Sequence, residues 1–326
     1  MKEEEIRKRE VFSKYLELVA TDVNDFFDFK SFIDVDCPAC GSSKSTFEFE
    51  KIGFKYSSCQ VCSTLFVNPK PPFEVLNEFY STSSSTSFWV NEFFKPVAEV
   101  RREKIFKPRA EYVAGFLDKS ERHIVGDIGA GFGLFLEELK KIRPDNRYVA
   151  IEPSVEMADI CHSKGLDVEP VCLEELEEMA EGFDILTAFE LLEHLYSPQI
   201  FLEKAYELLK PGGYLSCSTL NSKGFDILLL WEKSKSIAPP HHLNFFNPMS
   251  IHLLFQKAGF EIEEISTPGK LDWDIVEGMI TNENLELGKL WDVLAKEGSD
   301  ECKNELQHWI SKYNLSSHMR VLAKKR

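Results

Sequence analysis

Between residues 123 and 267, short apolar segments alternate with segments whose apolar residues recur at helical spacing. The segments "HIVGDIG", "RYVAIEP", "FDILTAF" and "YLSCSTLN" have the continuous apolar character of buried strands. The segments between them, such as "GLFLEELKKI" and "PQIFLEKAYELLKPGG", repeat their apolar residues as amphipathic helices do. Strands and helices in this alternation form a parallel sheet that helices cover on both faces. The sequence therefore predicts an α/β fold of the Rossmann-like kind.

The sequence outside this region differs in character and divides the chain further. We expect an N-terminal helical segment at residues 1–36, a cysteine-rich module of short strands at 37–72, and a helical linker or cap at 73–120. The Ser/Thr-rich stretch "STSSSTS" is expected to interrupt this linker as a loop. The alternating region would belong to a large domain over 121–326. A helical insertion at about 268–313 is expected between its last two strands, "EIEEIST" and "HMRVLAKKR".

Composition and charge limit the classes of partner. The 326 residues are 43% hydrophobic and 28% charged, as in ordinary globular proteins, and the net charge is −16. A chain this acidic repels a phosphate backbone, which disfavours nucleic acid as the substrate. The sequence has no apolar run of the roughly 20 residues that span a bilayer, and its start, "MKEEEIRKREVF", lacks the apolar core of a secretory signal. We therefore expect a cytoplasmic protein without a membrane segment that acts on a small molecule; the oligomeric state is not predicted.

Four of the eight cysteines are paired in a pattern typical of zinc sites. Two residues separate Cys37 from Cys40 and Cys59 from Cys62, and 18 residues separate the two pairs. Thiolates at this spacing can reach one ion across a tight turn, and two such pairs give a closed tetrahedral Zn²⁺ site. Because four thiolates leave no open coordination position, we expect a structural zinc ribbon. The other cysteines, which lack ligand spacing and are interpreted as small apolar residues, are Cys161, Cys172, Cys217 and Cys302.

The first strand of the alternating region leads into a glycine-rich loop. Asp127, Gly129, Gly131 and Gly133 lie in "VGDIGAGFGLFLEEL", between a strand and a helix. The glycines permit a tight turn and close approach of a ligand to the backbone. Such loops also occur in dinucleotide-binding folds, so an NAD-dependent oxidoreductase is an alternative. Here Glu152 ends the next strand, where it can accept ribose hydroxyls, and Asp127 suits a cationic group, which favours S-adenosylmethionine (SAM) over NAD.

Four ordered motifs, "DIGAGFG", "AIEPS", "FDILTAFELLEHLYSP" and "LLKPGGYLSCST", resemble those of class I SAM-dependent methyltransferases. The resemblance covers residue 123 to about residue 267. It implies a seven-stranded mixed sheet whose last, antiparallel strand is "HMRVLAKKR". It also implies a set of cofactor-binding residues: the 129–133 loop with Ala130 for the methionine part, Glu152 with Pro153 beside it for the ribose, and Met157, Cys172 and Leu173 for the adenine.

The stretch "FELLEH" (189–194) comes at the end of the strand "FDILTAF", where the methyl group of SAM is expected. Glu190, Glu193 and His194 should share one turn of helix, because they lie at positions i, i+3 and i+4. Two interpretations remain open. Either these side chains contact the cofactor region and pair locally, or they bind a second, divalent ion, since carboxylates and imidazole suit Mg²⁺, Mn²⁺ or Zn²⁺. The second interpretation resembles ubiquinone-pathway O-methyltransferases and small-RNA 2′-O-methyltransferases, in which such a motif helps to hold a metal.

A stretch with two histidines, "APPHHLNFFNP" (238–248), follows the strand "YLSCSTLN", on the side of the sheet where ligands bind. His241 and His242 are candidates for a general base or a further metal ligand, because an imidazole titrates near neutral pH. We favour His242, since the resembling family often has a single histidine before a Phe-rich step. The alternative is that both histidines only order a proline-rich loop. A base matters most for a sugar hydroxyl, which is a poor nucleophile until its proton leaves, and this favours an oxygen acceptor.

The order of a zinc module followed by a methyltransferase region resembles enzymes of surface-polysaccharide and modified-sugar pathways. The sequence thus predicts a SAM-dependent methyltransferase that acts on a sugar, a nucleotide sugar or another small hydroxylated acceptor. Two alternatives stay open: a non-catalytic adaptor that binds partners through the ribbon, and an RNA methyltransferase whose ribbon grips nucleic acid. The ribbon residues that could do so are Lys44, Lys51, Lys55 and Lys70, interleaved with Phe47, Phe49, Phe54 and Tyr56.

Overall fold

The computed structural model describes residues 2–118, 120–177 and 179–326. The predicted segments at 1–36 and 73–120 each include one residue, Met1 and Lys119, that lies outside the described residues. The chain divides into two compact units, each made of several stretches: the first contains residues up to 98 together with 220–250 and 266–319, and the second contains 99–219, 251–265 and 320–326. The contiguous domain boundaries expected from the sequence remain predictions.

Within the described residues, the structure has fourteen α-helical segments and eleven strands, joined by short 3₁₀ and π-helical turns. The helices are α1 (Glu3–Ile6), α2 (Arg9–Phe26), α3 (Phe73–Thr82), α4 (Ser84–Phe88), α5 (Ala98–Arg101), α6 (Lys107–Ala114), α7 (Leu134–Ile142), α8 (Val155–Ser163), α9 (Pro198–Leu208), α10 (Phe225–Leu230), α11 (Pro248–Lys257), α12 (Asp272–Asn282), α13 (Lys289–Glu297) and α14 (Asp300–Lys312). The strands are β1 (Ser45–Lys51), β2 (Phe54–Cys59), β3 (Leu65–Val67), β4 (Ile124–Ile128), β5 (Arg147–Ile151), β6 (Asp167–Glu169), β7 (Phe183–Phe189), β8 (Leu209–Leu220), β9 (Asn244–Phe245), β10 (Phe260–Ser266) and β11 (His318–Lys325). None of the helices in the described part of the chain is long and apolar enough to cross a membrane.

The second unit is built on a seven-stranded mixed sheet with the order β10-β11-β8-β7-β4-β5-β6. Strands β8, β7, β4, β5 and β6 pair in parallel, with Val125 opposite Ile185 and Ile128 opposite Ile151. These positions carry branched apolar side chains because both faces of a parallel sheet are covered. The predicted α/β fold is confirmed, and "HMRVLAKKR" forms β11, next to β8.

The core of this unit fixes the start of α7, directly after the glycine loop. Phe135, Leu136 and Leu139 of α7 pack in one buried cluster with Ala110 and Val113 of α6 and with residues of the sheet. Each such aromatic or branched side chain contributes roughly 1.5–3 kcal/mol on burial. Because α7 begins at Leu134, immediately after the loop, this packing holds the loop at the carboxyl end of β4.

The first unit contains a four-stranded antiparallel sheet with the order β1-β2-β3-β9. The short strands predicted for the cysteine-rich module are confirmed as β1, β2 and β3. The fourth strand comes from the histidine-containing stretch, where Asn244 lies opposite Phe66 and Phe245 opposite Leu65. A strand of two residues is too short to show an alternating pattern, which is why the sequence indicated only a loop there.

The expected helical insertion between β10 and β11 consists of α12, α13 and α14. Trp273, Val276 and Ile280 of α12 pack with Leu230 of α10 and Ala295 of α13 in a second buried cluster. The apolar stripes of these helices therefore form a core of the first unit, as such stripes usually do.

The prediction of a loop at "STSSSTS" (81–87) is wrong, because only Ser83 separates α3 from α4. The Ser83 hydroxyl accepts a hydrogen bond from the N–H of Thr86 at 3.3 Å and so caps α4. Asp22, on α2, accepts another from the N–H of Ser85 at 2.7 Å. Serine favours helix starts as well as loops, so composition alone could not separate the two.

Candidate cofactor site and active site

The loop between β4 and α7, in the second unit, is rich in glycine and leaves its backbone open to a ligand. Gly129, Gly131 and Gly133 have φ angles of 67°, 56° and 67°, in the left-handed region that glycine adopts without strain. At Gly133 a Cβ atom would lie 2.8 Å from Leu166, so close packing also excludes a side chain. At Gly131 the nearest atom to a Cβ would be the sulfur of Met157, at 4.0 Å. A ligand can therefore approach the loop backbone at Gly131, on the side of Met157.

Asp127 is a buried carboxylate near the end of β4. The hydroxyl of Thr187, on the neighbouring strand β7, donates to Asp127 Oδ1 at 2.6 Å. Burial raises the pKa of Asp127 to about 7; Thr187 and Arg109 oppose the rise, and Glu152 adds to it. A cation bound beside Asp127 would favour its ionised form, which fits the ammonium and sulfonium groups of SAM.

Glu152 follows β5 and is tied to the glycine loop. Its Oε2 accepts from the N–H of Gly131 at 2.7 Å, and its Oε1 accepts from the N–H of Ser154 at 2.9 Å. Burial raises the pKa of Glu152 against the effect of these two bonds. A carboxylate oxygen can accept more than one hydrogen bond, so both oxygens retain capacity for the hydroxyls of a ribose.

The other residues predicted to bind the cofactor lie on the loops around these strands. Ala130 and Met157 are half-buried, Pro153 and Cys172 are exposed, and Leu173 is buried. Their assignment to the methionine, ribose and adenine parts of SAM stays a prediction. The donor set of Asp127, Glu152 and the glycine loop nevertheless fits a cationic nucleoside.

The residues of "FELLEH" form a tight turn between β7 and α9, so the prediction of a helical turn is wrong. Glu190 has a φ of 54°, in the left-handed region, which turns the chain away from both strand and right-handed helix. Its N–H donates to the carbonyl of Ser218 at 2.9 Å, so the turn stays attached to β8. Among the described residues, Glu193 and His194 each offer a possible ligand atom within 4.8 Å of the other, whereas Glu190 is not part of that group.

Glu193 is almost completely buried, with 1% of its surface exposed. Thr219, on β8, donates its hydroxyl hydrogen to Glu193 Oε2 at 2.8 Å. Burial raises the pKa of Glu193 to about 8, and the neighbouring Glu190 contributes to the rise. A carboxyl group that titrates near neutral pH can take or give a proton during catalysis. His194, next along the turn, is half-buried, and its N–H donates to the carbonyl of Leu191 at 3.0 Å.

Arg109, on α6, is a charged residue of this region that the sequence analysis missed. Its Nη2 donates to Glu190 Oε1 at 2.7 Å and to Ser218 Oγ at 3.2 Å, and the Ser218 hydroxyl donates to the same Glu190 oxygen. The guanidinium carbon lies 4.7 Å from the centre of the Phe189 ring, a cation–π contact. The sequence carries no signal for this ion pair, because its partners are 81 residues apart.

In the first unit, the four predicted zinc ligands come together. The sulfurs of Cys37, Cys40, Cys59 and Cys62 lie within 4.8 Å of one another. The Cys37–Cys62 and Cys40–Cys59 sulfur distances are both 3.5 Å. A tetrahedral ion with Zn–S bonds of about 2.3 Å holds its sulfurs about 3.8 Å apart, so these cysteines fit zinc.

The two halves of the cysteine cluster repeat the same backbone turn. The N–H of Gly41 donates to the carbonyl of Cys37 at 2.9 Å, and the N–H of Ser63 donates to that of Cys59 at 2.9 Å. Gly41 and Ser63 have φ angles of 75° and 56°. Each turn places its two sulfurs on one side, which is the geometry that two zinc knuckles require.

His241, in the first unit, is buried among aromatic rings. Its ring centre lies 5.8 Å from that of Tyr15, 5.1 Å from that of Phe79 and 5.5 Å from that of Tyr80. Burial lowers the pKa of His241 to about 3, so the ring stays neutral at physiological pH. These surroundings favour a packing role over proton transfer.

His242, also in the first unit, is half-buried and held by its backbone and its ring. Nδ1 lies 2.6 Å from the carbonyl oxygen of Ser236. Because a carbonyl only accepts, Nδ1 carries the proton, and Nε2 is the basic nitrogen of the neutral ring. The structure thus fixes the His242 ring by a hydrogen bond and encloses the His241 ring among aromatic side chains, and the assignment of a base stays a prediction.

The second unit has a Rossmann-like sheet, a glycine loop after β4, and carboxylates at the ends of β4 and β5. This combination is typical of SAM-binding methyltransferases. Residues 98–265, about half of the chain, match a family model described as a methyltransferase domain. The chain belongs to this family and is a class I SAM-dependent methyltransferase.

The relatives of the chain include ubiquinone biosynthesis O-methyltransferases. The chain is 29% identical to that of Xanthomonas axonopodis over 169 residues, which are 48% of this chain and 70% of the relative. It is 30% identical to that of Coxiella burnetii over 141 residues, which are 40% of this chain and 57% of the relative.

The chain is also similar to solved structures. One is a chain from the complex between the Trm112 methyltransferase activator and a methyltransferase of Haloferax volcanii, with 15% identity and a TM-score of 0.51 over 72% of this chain and 95% of that chain. Another is a SAM-dependent methyltransferase of Archaeoglobus fulgidus, with 20% identity and a TM-score of 0.47 over 78% of this chain and 100% of that chain.

Proposed function

We propose that the enzyme transfers the methyl group of SAM to a hydroxyl oxygen of a small acceptor, a sugar or a nucleotide sugar. The observation that carries this proposal is the acidic turn after β7, in which Glu193 is buried with a pKa raised to about 8. A hydroxyl is a poor nucleophile until its proton leaves. A group that titrates near neutral pH, where the methyl group is expected, suits an acceptor that must lose a proton.

In this proposal, residues of the second unit hold SAM. Asp127 binds its cationic methionine part, and the carboxylate of Glu152, fixed by Gly131 and Ser154, binds the ribose hydroxyls. When bound, SAM supplies an electrophilic methyl group. Glu190, held by Arg109, keeps a negative charge beside the end of β8.

We assign His242, in the first unit, as the general base; Glu193, in the second unit, is assigned separately as a buried carboxyl that can exchange a proton. The bond from Nδ1 to Ser236 orients the ring and places the proton of the neutral ring on Nδ1, so the proposed basic atom is Nε2. His241 is assigned to packing, because its pKa is lowered to about 3 and its ring is enclosed. The names of the relatives, which are O-methyltransferases, support oxygen as the methylated atom.

A divalent ion held by Glu190, Glu193 and His194 is the second form of the proposal. The two carboxylates and the imidazole are suitable ligands, and an ion there would lower the pKa of an acceptor hydroxyl. The ion pair between Arg109 and Glu190 competes with such an ion for the same carboxylate. This competition favours the metal-free form.

The surroundings of the ribbon residues do not favour RNA as the substrate. Phe49, Phe54 and Tyr56 are buried, so of the four ribbon aromatics only Phe47 is exposed for base stacking. Lys70 is buried as well. These residues form the core of the ribbon, and the net charge of −16 opposes binding to a phosphate backbone.

The decisive experiment is turnover of SAM by the purified full-length chain against a panel of sugars, nucleotide sugars and phenols. Each assay is run with and without added Mg²⁺, Mn²⁺ or Zn²⁺. We expect methylation of a sugar hydroxyl without dependence on added metal. Methylation of nitrogen or carbon alone, or of RNA alone, would overturn the proposal.

Two substitutions test the assigned residues once an acceptor is found. His242→Ala and Glu193→Gln should each lower kcat by roughly 10²–10⁴-fold, whereas SAM binding stays intact. Glu305→Gln, at an exposed position of α14, is the matched control for Glu193 and should leave kcat unchanged. Full turnover by both active-site variants with SAM bound would show that the assignment is wrong.

A further inference from the structure

The segment that carries His242 is attached to the zinc ribbon, and we propose that the ribbon acts through Tyr56 to position the His242 ring. This inference rests on the proposed function, since it concerns the residue assigned there as the base. We call residues 236–247 the His242 segment. All the residues that carry the argument belong to the first unit.

The ribbon sheet continues into the His242 segment. Strand β3 starts three residues after the zinc ligand Cys62, and it pairs with β9, which starts two residues after His242. In addition, the N–H of Val67 donates to the carbonyl of Leu243 at 2.9 Å. The backbone immediately after His242 is therefore the edge strand of the sheet that the cysteine cluster anchors.

Tyr56 makes the most direct link between ribbon and base. It lies on β2, three residues before Cys59, and is completely buried. Its hydroxyl donates to the carbonyl oxygen of His242 at 2.8 Å. The ring stacks on Phe49 with centres 5.2 Å apart, so its position is set by the ribbon core. The Tyr56 hydroxyl thus fixes the peptide group of the catalytic histidine.

Two further contacts hold the chain on either side of His242, one just before the His242 segment and one at its end. The ammonium group of Lys51, on β1, donates to the carbonyl of Ser234 at 2.6 Å. The side-chain amide of Asn247 donates to the carbonyls of Cys62 and Ser63, at 2.9 and 3.0 Å, inside the second zinc knuckle. The ribbon therefore anchors the chain before, at and after His242.

The ring orientation of His242 depends on this anchoring. Nδ1 donates to the carbonyl of Ser236, which lies within the anchored segment, at 2.6 Å. If the segment loosens, this hydrogen bond lengthens and no longer stabilises the tautomer with the proton on Nδ1. The ribbon then sets which nitrogen is basic, and Tyr56 is a positioning residue that never touches the substrate.

The test is Tyr56→Phe in the full-length chain, which removes one hydroxyl and keeps the buried ring. We expect amide hydrogen exchange of residues 236–247 to rise by roughly 2- to 10-fold, the loss expected for one hydrogen bond. Side-chain NMR of His242 should change from the Nδ1–H tautomer to a mixture. Tyr148→Phe is the matched control, because Tyr148 is buried and its hydroxyl donates to the carbonyl of Arg143 at 2.6 Å.

The control variant should leave both the exchange of the His242 segment and the tautomer unchanged. Unchanged exchange and an unchanged tautomer in Tyr56→Phe would overturn the inference. Removal of zinc with a chelator provides a second measurement: residues 65–67 and 236–247 should lose protection together, and one equivalent of zinc should restore it. If the chelated chain unfolds altogether, the tyrosine variant still decides.

The outcomes for the inference and for the proposed function are separable. If His242→Gln keeps full turnover while Tyr56→Phe loosens the segment, His242 is not the base but the ribbon does position it. If His242→Gln loses turnover while Tyr56→Phe leaves exchange, tautomer and the pH profile of kcat unchanged, the base is correct and the positioning role is wrong.

Discussion

At the scale of single residues, Asp127 provides a buried carboxyl group where we expect the positive charge of SAM to bind. Its carboxyl group is buried on β4, an inner strand of the sheet, and has a pKa raised to about 7. A buried acid in this range is half protonated in neutral buffer, whereas SAM carries positive charge. Cofactor binding and deprotonation of Asp127 should therefore favour each other.

We expect the affinity for SAM to increase between pH 6 and pH 8, by up to about 10-fold, because the ionised form of Asp127 attracts the cation. Calorimetric titration at three pH values measures this directly. Asp127→Asn, which cannot ionise, should bind more weakly and lose this part of the pH dependence. Equal slopes for the wild type and the variant would show that another group is responsible.

Arg109 is the second residue whose charge matters, since it neutralises Glu190 next to the buried Glu193. We expect Arg109→Met to lower the free energy of unfolding by about 1–3 kcal/mol at pH 8, because a poorly hydrated carboxylate loses its partner. Urea unfolding measures the effect. The double variant with Glu190→Gln should recover most of the loss, and no recovery would indicate that Arg109 acts through packing on Phe189.

At the scale of elements, α10 and α12 bring two buried carboxyl groups together. Asp226, in the first turn of α10, and Asp272, in the first turn of α12, are 0% and 1% exposed. Asp272 accepts hydrogen bonds from the hydroxyl of Ser316 at 2.8 Å and from the N–H of Ser317 at 2.7 Å. Burial and the charge of Asp272 raise the pKa of Asp226 to about 8, so the pair shares one proton at neutral pH.

This pair predicts a pH-dependent stability. The folded-state pKa of Asp226 is above its unfolded value. The contribution of this carboxyl group to the free energy of unfolding is therefore fully present below about pH 4 and is lost as the pH rises towards 8. Asp226→Asn keeps the shape of the side chain but cannot ionise. The free energy of unfolding of this variant, relative to that of the wild type, should therefore increase by about 1–4 kcal/mol between pH 5 and pH 8. Urea unfolding across this range measures the difference, and a flat difference would contradict the shared proton.

The elements also show what a sequence can and cannot predict. The strands around Asp127 and the Cys37–Cys62 cluster could be predicted, because each rests on a local pattern with a defined period or spacing. The turn at Glu190 could not, since helix and tight turn share the same spacing and only the left-handed φ separates them. Strand β9 and the Arg109 ion pair could not either, because both depend on partners far away along the chain.

At the scale of the whole molecule, the proposed SAM-binding residues and the proposed zinc ligands belong to different units. We therefore expect SAM affinity to stay within about threefold after zinc is removed, whereas the ribbon loses its hydrogen-exchange protection. Calorimetry with SAM on the chelated and the reconstituted chain measures this. Loss of SAM binding on chelation would show that the ribbon supports the cofactor site and not only the His242 segment.

The bond from Tyr56 to His242 spans 186 positions of the sequence, and the pairing of β3 with β9 is similarly long-range. A ribosome that makes this protein releases the four cysteines long before it releases the strand that completes their sheet. The nascent ribbon can thus bind metal early but stays unfinished while most of the methyltransferase sheet is synthesised. Its last edge closes only after β8 has emerged, so assembly of the histidine segment waits for the catalytic fold to be largely made.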